Sequence, residues 1–219
     1  ADFNKIKLYT MVGFPTENLE DMEAFCSLIE NLVRIGKKHR KNFQIAVSIG
    51  ILIPKAFTGL QWAPFMEKEK ALEHIRFVRE RFFKHPNVRI TWSSWETSML
   101  EAFYSRGDRS LSSLIYAAYK KGLIFESDAY RIKPEIWQEV FAEANYDVSW
   151  IYATRSLDAV FPWDFIHAGT TKAYLQREWE KAFDPNSLPV PNCKWGDCQK
   201  CGIPGFGGEI RLAEAPKRY

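Results

Sequence analysis

The sequence predicts an α/β fold with parallel strands, followed by a helical region and an irregular tail rich in cysteine. Over the first 108 residues, three apolar runs alternate with three amphipathic helical segments. This alternation is typical of βαβ units and of a parallel sheet. Three such units are half of a sheet or half of a barrel. After residue 108 only helical periodicity continues, and from residue 184 proline, asparagine and glycine dominate.

The first βα unit begins with residues 6–12, which we predict to form a fully buried strand because little polar alternation interrupts them. The turn 13–17 follows, and Thr16 is the predicted N-cap of a long amphipathic helix. Gly36 is the predicted end of that helix. Cys26 lies on the apolar stripe of the helix and is predicted to be a small core residue rather than a ligand.

The second and third units follow the same order. Residues 44–54 are predicted to be a strand, which leads through the loop 55–66 to a helix over 67–84. Residues 88–95 are the third predicted strand, and a helix over 96–104 follows it. Since the first strand has no predecessor to pair with, we expect this chain to be the rear portion of a longer protein.

Three further helices are predicted after the sheet. They cover residues 111–122, a segment that starts at Pro134, and about 171–183. The predicted domains are therefore 1–108 for the α/β part, 109–183 for the helical region and 184–219 for the cysteine-rich tail.

Composition excludes some classes of protein. The net charge of +3 is too small to indicate a nucleic-acid or membrane partner. No apolar run approaches the roughly 20 residues that span a bilayer. The sequence has no P-loop, nucleophile elbow or GxGxxG motif, which makes hydrolase and nucleotide-binding interpretations weak. Unpaired, clustered thiols favour a reducing compartment, and we expect a cytoplasmic location.

The cysteines near the end of the chain form the strongest local signal. Cys193, Cys198 and Cys201 have the CxxxxCxxC spacing that plant-type ferredoxins use for three of their four cluster ligands. Zinc is the rival occupant, because it also accepts thiolates and needs four ligands. The fourth ligand would be His167, a carboxylate such as Asp197, or none. Unligated surface cysteines remain the alternative.

Two loops follow predicted strands at the edge where α/β proteins place ligands. Residues 55–62 offer a cation, a hydroxyl, an amide and an indole that can orient a polar substrate, although an ordinary connection is an equally good interpretation. In the turn 13–17, the free N–H groups at the helix start can hold a carboxylate or phosphate. A capped helix without a ligand is the commoner case.

Four stretches of this chain together resemble one family. They are YTMVGFPTE at 9–17, VSIGILIPKAFTGLQW at 47–62, FPWDFI at 161–166 with the helix at 174–183, and the cysteine segment 193–202. The chain resembles the rear part of a radical S-adenosylmethionine (radical SAM) enzyme, in the branch that carries an N-terminal cobalamin-binding domain. The second and fourth stretches are the more specific ones.

The resemblance implies a partial TIM-like (β/α) barrel. In this family a 4Fe–4S cluster cleaves S-adenosylmethionine to a 5′-deoxyadenosyl radical, and some members use cobalamin. The residues that would lie on the cofactor side are Gly13, Glu17, Ser48 and Ser94. The residues that would line the substrate side are Lys55, Thr58, Gln61 and Trp62. The three terminal cysteines would match the family's C-terminal cysteine knot, whose occupant is an iron–sulfur cluster or zinc.

The chain departs from the family in one respect that decides activity. It contains no CxxxCxxC motif, so the ligands of the radical cluster are absent from it. We expect this portion to be inactive alone, with the N-terminal half of the parent as its partner and self-association through exposed sheet edges. The alternative is a non-enzymatic module, stabilised by zinc or a cluster, that binds protein or RNA. The substrate and reaction type are not specified by the sequence.

Overall fold

The computed structural model describes residues 3–124, 131–187 and 198–203. These residues divide into two compact units. The first comprises the described residues of Ala1–Pro54 and Ala63–Thr154, and the second comprises those of Lys55–Trp62 and Arg155–Tyr219. The predicted domain boundaries at 108 and 183 stay predictions.

The first unit contains a parallel sheet, which confirms the α/β class. Its strands are β1 (Lys5–Val12), β2 (Gln44–Ile51) and β3 (Val88–Trp92), in the order β1-β2-β3. Both strand pairs are parallel, with Lys5 opposite Gln44 and Ile45 opposite Val88. Each connection between neighbouring strands contains a helix, as the alternating pattern predicts.

Six α-helices lie in the described part of the chain, and five of them belong to the first unit. Those five are α1 (Leu19–His39), α2 (Lys68–Arg81), α3 (Trp95–Arg106), α4 (Leu111–Lys120) and α5 (Pro134–Glu143). A short 3-10 helix, Ser149–Tyr152, follows α5, and α6 (Lys172–Lys181) belongs to the second unit. The predicted helices are thus present, with ends that differ by a few residues.

The main core lies between one face of the sheet and helices α1 and α2. Alternate residues of β2 supply that face, and the side chains from Ile45 to Ile51 on it are at most 4% exposed. Cys26 on α1 is completely buried in the same cluster, which confirms its predicted core position. Burial raises the pKa of its thiol to about 11, so it stays protonated and unsuited to metal binding.

Strand β1 is not fully buried, and that prediction was wrong. Its residues alternate, with Lys5, Lys7, Tyr9 and Met11 exposed and the intervening residues partly or fully buried. Tyr9 is 73% exposed. The reason is that β1 is an edge strand of a sheet whose second face carries no layer of helices among the described residues of this unit.

The start and end of α1 also differ from the prediction. The N-cap is Asn18 and not Thr16, and Asn18 forms a capping box with Asp21. The helix continues past Gly36, where an added Cβ would lie 2.1 Å from the ring of Phe43. Gly36 therefore permits close packing of the following loop and does not end the helix.

A second core forms among α3, α4 and α5, where Phe103 and Trp137 make an edge-to-face ring contact at 5.8 Å. Arg106 closes α3 and is only 1% exposed. Its guanidinium donates to the backbone carbonyls of Ala63 and Ala153. Helix α3 ends within the Arg-Gly-Asp sequence, because Gly107 is its C-cap.

The second unit has its own small core, in which Trp62, Phe161 and Leu175 are at most 6% exposed. Thr171 caps α6 by accepting a hydrogen bond from the Tyr174 N–H. Within the described residues of both units, none of the helices is long and apolar enough to cross a bilayer.

Candidate functional sites

The turn after β1 contains Gly13 and Glu17, two residues predicted to lie on the cofactor side. Gly13 has φ +109°, a conformation that favours glycine. The Glu17 carboxylate folds back and accepts the N–H groups of Gly13 at 2.5 Å and Phe14 at 3.0 Å. Glu17 is only 8% exposed. The amides predicted to bind a carboxylate or phosphate are therefore occupied by a carboxylate of the chain itself.

The second oxygen of Glu17 faces a residue that the sequence prediction missed. Glu17 Oε1 lies 3.8 Å from His74 Nδ1, beyond hydrogen-bond distance, and His74 is 1% exposed. His74 Nδ1 has no hydrogen-bond partner in the described part of the chain. The sequence does indicate that His74 is buried, because it lies on the apolar stripe of α2 between Ala71 and Ile75. Polar groups buried on such a stripe are costly unless a partner is near.

A cavity of about 290 Å³ lies beside this turn. Glu17 and Asp21 are the acidic residues in its lining, together with Thr10, Thr16 and the ring of Phe14. The cavity is thus at the carboxyl end of β1, the edge at which parallel sheets hold ligands.

Ser48 and Ser94 are the other two predicted cofactor-side residues, and the structure places them differently. Ser48 lies on the face of β2 opposite the one on which α1 and α2 pack, with Tyr9 and Thr91 as its neighbours in the adjoining strands. These side chains form a row of hydroxyl groups across the sheet, and that of Thr91 donates to the Val47 carbonyl at 3.1 Å and remains an acceptor. Ser94 is the N-cap of α3 and accepts a hydrogen bond from the Thr97 N–H at 3.1 Å. Its hydroxyl is therefore already used to cap the helix.

The predicted substrate-side residues all lie in the second unit, on the loop Lys55–Trp62. Lys55 and Thr58 are exposed, and the Thr58 hydroxyl donates to the Lys55 carbonyl at 2.8 Å. Gln61 and Trp62 are 3% and 0% exposed. Trp62 packs against Phe161 with ring centroids 5.8 Å apart, so it is a core residue of this unit.

Gln61 is held in one orientation by two donors. Its Oε1 accepts the Phe57 N–H at 3.2 Å and the Trp163 indole N–H at 3.0 Å. Since both donors require an oxygen, the amide nitrogen must occupy the other position. Gln61 lines a cavity of about 370 Å³ together with Trp163, Asp164 and Lys172.

Asp164 and Lys172 form a close ion pair in the lining of this cavity. Lys172 Nζ lies 2.5 Å from Asp164 Oδ2, which also accepts the Phe161 N–H at 2.9 Å. Burial acts to raise the pKa of Asp164, but the hydrogen bonds from Lys172 and Phe161 outweigh it and hold the pKa below its usual value. Lys172 also donates to the Ala159 carbonyl at 2.6 Å.

The predicted metal ligands are only partly covered by the structure. Cys193 lies outside the described residues, Cys198 is exposed and Cys201 is half-buried. The Lys200 N–H donates to Cys198 Sγ at 3.4 Å, with Lys200 at φ +53°. Over 3–124, 131–187 and 198–203, no three His, Cys, Asp or Glu side chains meet as a metal site.

Residues 198–203, the described part of the cysteine segment, contact the start and the middle of α6. The Thr171 N–H donates to the Cys201 carbonyl at 2.8 Å, and Arg177 donates to the Gln199 carbonyl at 3.1 Å. His167, a predicted candidate for the fourth ligand, lines the same cavity as Gly202. The candidate Asp197 lies outside the described residues.

Comparison with known proteins gives one similarity of limited extent. The chain is similar to an uncharacterized protein of the archaeon Methanocaldococcus jannaschii, with 31% identity over 119 residues. The match covers 53% of this chain and 24% of that protein, so the chain spans about a quarter of the relative's length. No family model matches the chain, and no solved structure matches it.

Proposed function

We propose that this chain is the C-terminal portion of a radical SAM enzyme of the cobalamin-binding branch, and that its first unit is half of a TIM-like barrel. The observation that carries the proposal is the one-sided sheet. A doubly wound sheet reverses its strand order and has helices on both faces. Here the order is sequential, and within the described residues of this unit α1 and α2 pack on one face. A barrel has this arrangement because its other face lines the interior.

The open face offers groups that suit a polar cofactor. Tyr9, Ser48 and Thr91 present hydroxyl groups in one row, and they would hold the polar parts of S-adenosylmethionine. That cofactor, once reductively cleaved, supplies the 5′-deoxyadenosyl radical. Glu17 would shape the loop bordering the cofactor, since it already engages the amides of Gly13 and Phe14.

The radical-generating 4Fe–4S cluster does not fit the residues of this chain. Such clusters are held by cysteine thiolates, and no CxxxCxxC motif is present. We propose that a preceding portion of the parent protein supplies the cluster ligands and the cobalamin domain. The archaeal relative, of which the match covers 24%, supports a longer parent. Pairing with that portion would also cover the outer edge of β1.

The test compares this chain alone with the chain joined to the segment that precedes it in its gene. Both are purified without oxygen and incubated with S-adenosylmethionine and dithionite, and 5′-deoxyadenosine is measured. We expect product only from the longer protein. A preceding segment without CxxxCxxC, or turnover by this chain alone, would overturn the proposal.

A second candidate is a non-enzymatic module stabilised by zinc or a cluster at the terminal cysteines. The Lys200 N–H to Cys198 Sγ hydrogen bond favours it, because such bonds stabilise a thiolate and tune a metal site. Analysis of the same anaerobic preparation for iron, sulfide and zinc separates the candidates. Equal iron and sulfide favour an auxiliary cluster of the enzyme, whereas one zinc per chain without iron favours the structural module.

A further inference from the structure

The cavity of the second unit has the features of a small-molecule site. It has a volume of about 370 Å³, which lies within the range of roughly 300–1,000 Å³ that ligand pockets occupy. Aromatic rings, those of Phe57 and Trp163, and a few polar groups line it. Ligand pockets commonly combine an apolar wall with a small number of placed polar groups.

The first polar group is the amide nitrogen of Gln61. Gln61 is only 3% exposed, and its Oε1 already accepts hydrogen bonds from the Phe57 N–H and the Trp163 indole N–H. No hydrogen bond reaches its Nε2 from the part of the chain that the structure describes. Since Nε2 is not a fully enclosed atom and Gln61 lines the cavity, this unused donor can reach an acceptor bound there.

The second polar group is the carboxylate of Asp164. Its Oδ2 is engaged by Lys172 and by the Phe161 N–H. Within the described ranges no hydrogen bond involves Oδ1, so the cavity has one acceptor oxygen left over. The carboxylate charge is offset by the Lys172 ammonium, which makes the site close to neutral.

The aromatic wall favours a flat ligand. Trp163 stacks on Phe161 at 4.9 Å with an interplanar angle of 7°, and Phe161 does not line the cavity. Two contacts therefore fix the indole: Phe161 stacks on one of its faces, and its N–H donates to Gln61 Oε1. A rigid aromatic wall of this kind provides a surface for a planar ring.

We propose that this cavity binds a neutral, planar heterocycle that carries a lactam edge. A lactam places a carbonyl acceptor beside an N–H donor, so its carbonyl can accept from Gln61 Nε2 and its N–H can donate to Asp164. Heterocyclic bases are read in this way elsewhere, by stacking and by hydrogen bonds to their edges. The site lies within the second unit alone and is independent of the barrel proposal.

The test uses inosine as the probe and 1-methylinosine as its matched control. The two nucleosides share the ring and differ in that a methyl group replaces the lactam N–H. In the ¹⁵N-labelled chain, we expect inosine to shift the Gln61 side-chain amide and the Trp163 indole N–H saturably. We expect 1-methylinosine to bind at least about tenfold more weakly, since a hydrogen bond to a charged group is lost.

Variants isolate the two polar groups. Gln61→Glu keeps an acceptor for Phe57 and Trp163 but removes the donor, so inosine binding should fall about tenfold or more. Asp164→Asn removes the carboxylate charge without changing its shape and gives a second readout if Gln61→Glu does not fold. Glu180→Gln, at an exposed residue of α6 outside the cavity, should bind inosine like the unmodified chain.

Two outcomes would overturn the inference. One is the absence of any saturable shift of either resonance at millimolar inosine. The other is equal affinity for inosine and 1-methylinosine, which would mean that the lactam edge is not recognised.

Discussion

Glu17 in the first unit and Gln61 in the second are both buried acceptors, and they differ in which group their hydrogen bonds leave unused. Each follows the carboxyl end of a parallel strand, each is more than nine-tenths buried, and each accepts two N–H groups. A carboxylate is only an acceptor, so the two donors occupy Glu17 Oε2. An amide also has a donor, so two bonds to its oxygen leave the Gln61 nitrogen unused.

This difference separates a structural residue from a binding residue when both are buried and polar. Through Oε2 the Glu17 carboxylate satisfies the Gly13 and Phe14 amides, and the group it leaves unused is an acceptor, Oε1, which lies 3.8 Å from His74 Nδ1. Gln61 accepts the Phe57 N–H and the Trp163 indole N–H, and its own amide N–H group remains an unused donor beside a cavity. The residue type alone does not distinguish these cases, whereas an account of each donor and acceptor does.

The largest effect is expected from removing the Glu17 carboxylate. Glu17→Ala leaves the Gly13 and Phe14 N–H groups without their acceptor in a largely buried turn. The free energy of unfolding should fall by about 2–4 kcal/mol, since two donors lose a charged partner. Denaturant unfolding of the first unit, followed by circular dichroism, measures this loss.

Glu20→Ala is the matched control for that substitution. Glu20 is exposed in the first turn of α1, and its loss should cost less than about 1 kcal/mol through the helix dipole. Equal losses for the two variants would contradict the structural role of Glu17.

A smaller effect is expected at Gln61. Gln61→Leu removes the acceptor of the Phe57 and Trp163 N–H groups, which are neutral donors, and should lower the unfolding free energy by about 1–3 kcal/mol. Denaturant unfolding followed by circular dichroism measures the change. Gln138→Leu makes the same substitution at an exposed position of α5 and should change stability by less than about 0.5 kcal/mol. If Gln61→Leu proved as stable as Gln138→Leu, the two hydrogen bonds that Gln61 accepts would not contribute to the free energy of unfolding.

Local signals in the sequence predict most of the fold. The three strands, the helices and the buried Cys26 all follow from hydrophobic periodicity. The errors arise where two local signals compete or where a distant residue decides. Thr16 and Asn18 are both good N-caps, and Asn18 is selected by its capping box with Asp21.

Tertiary contacts account for the other differences. A glycine near the end of an apolar stripe is typical of a helix end. Gly36 instead makes room within the helix for the ring of Phe43, seven residues later. The apolar residues of β1 predict a buried strand, yet its place at the sheet edge exposes Tyr9 and Met11. The buried Glu17–His74 contact joins residues 57 positions apart, and no local pattern connects them.

The smallest effect concerns the ion pair beside Gln61, and it has a defined dependence on pH. The pKa of Asp164 is lowered in the folded chain, so the pair contributes stability above the unfolded-state value, about 3.9. That contribution is lost as the pH falls below this value through the folded pKa. Because both side chains are partly exposed, the difference in the free energy of unfolding should stay under about 1 kcal/mol.

Asp164→Asn should therefore be slightly less stable than the unmodified chain at pH 6, and the gap should close towards pH 3. Asp158→Asn, an exposed neighbour, should show no such convergence in parallel unfolding curves, and a constant gap for Asp164→Asn would refute the charge argument.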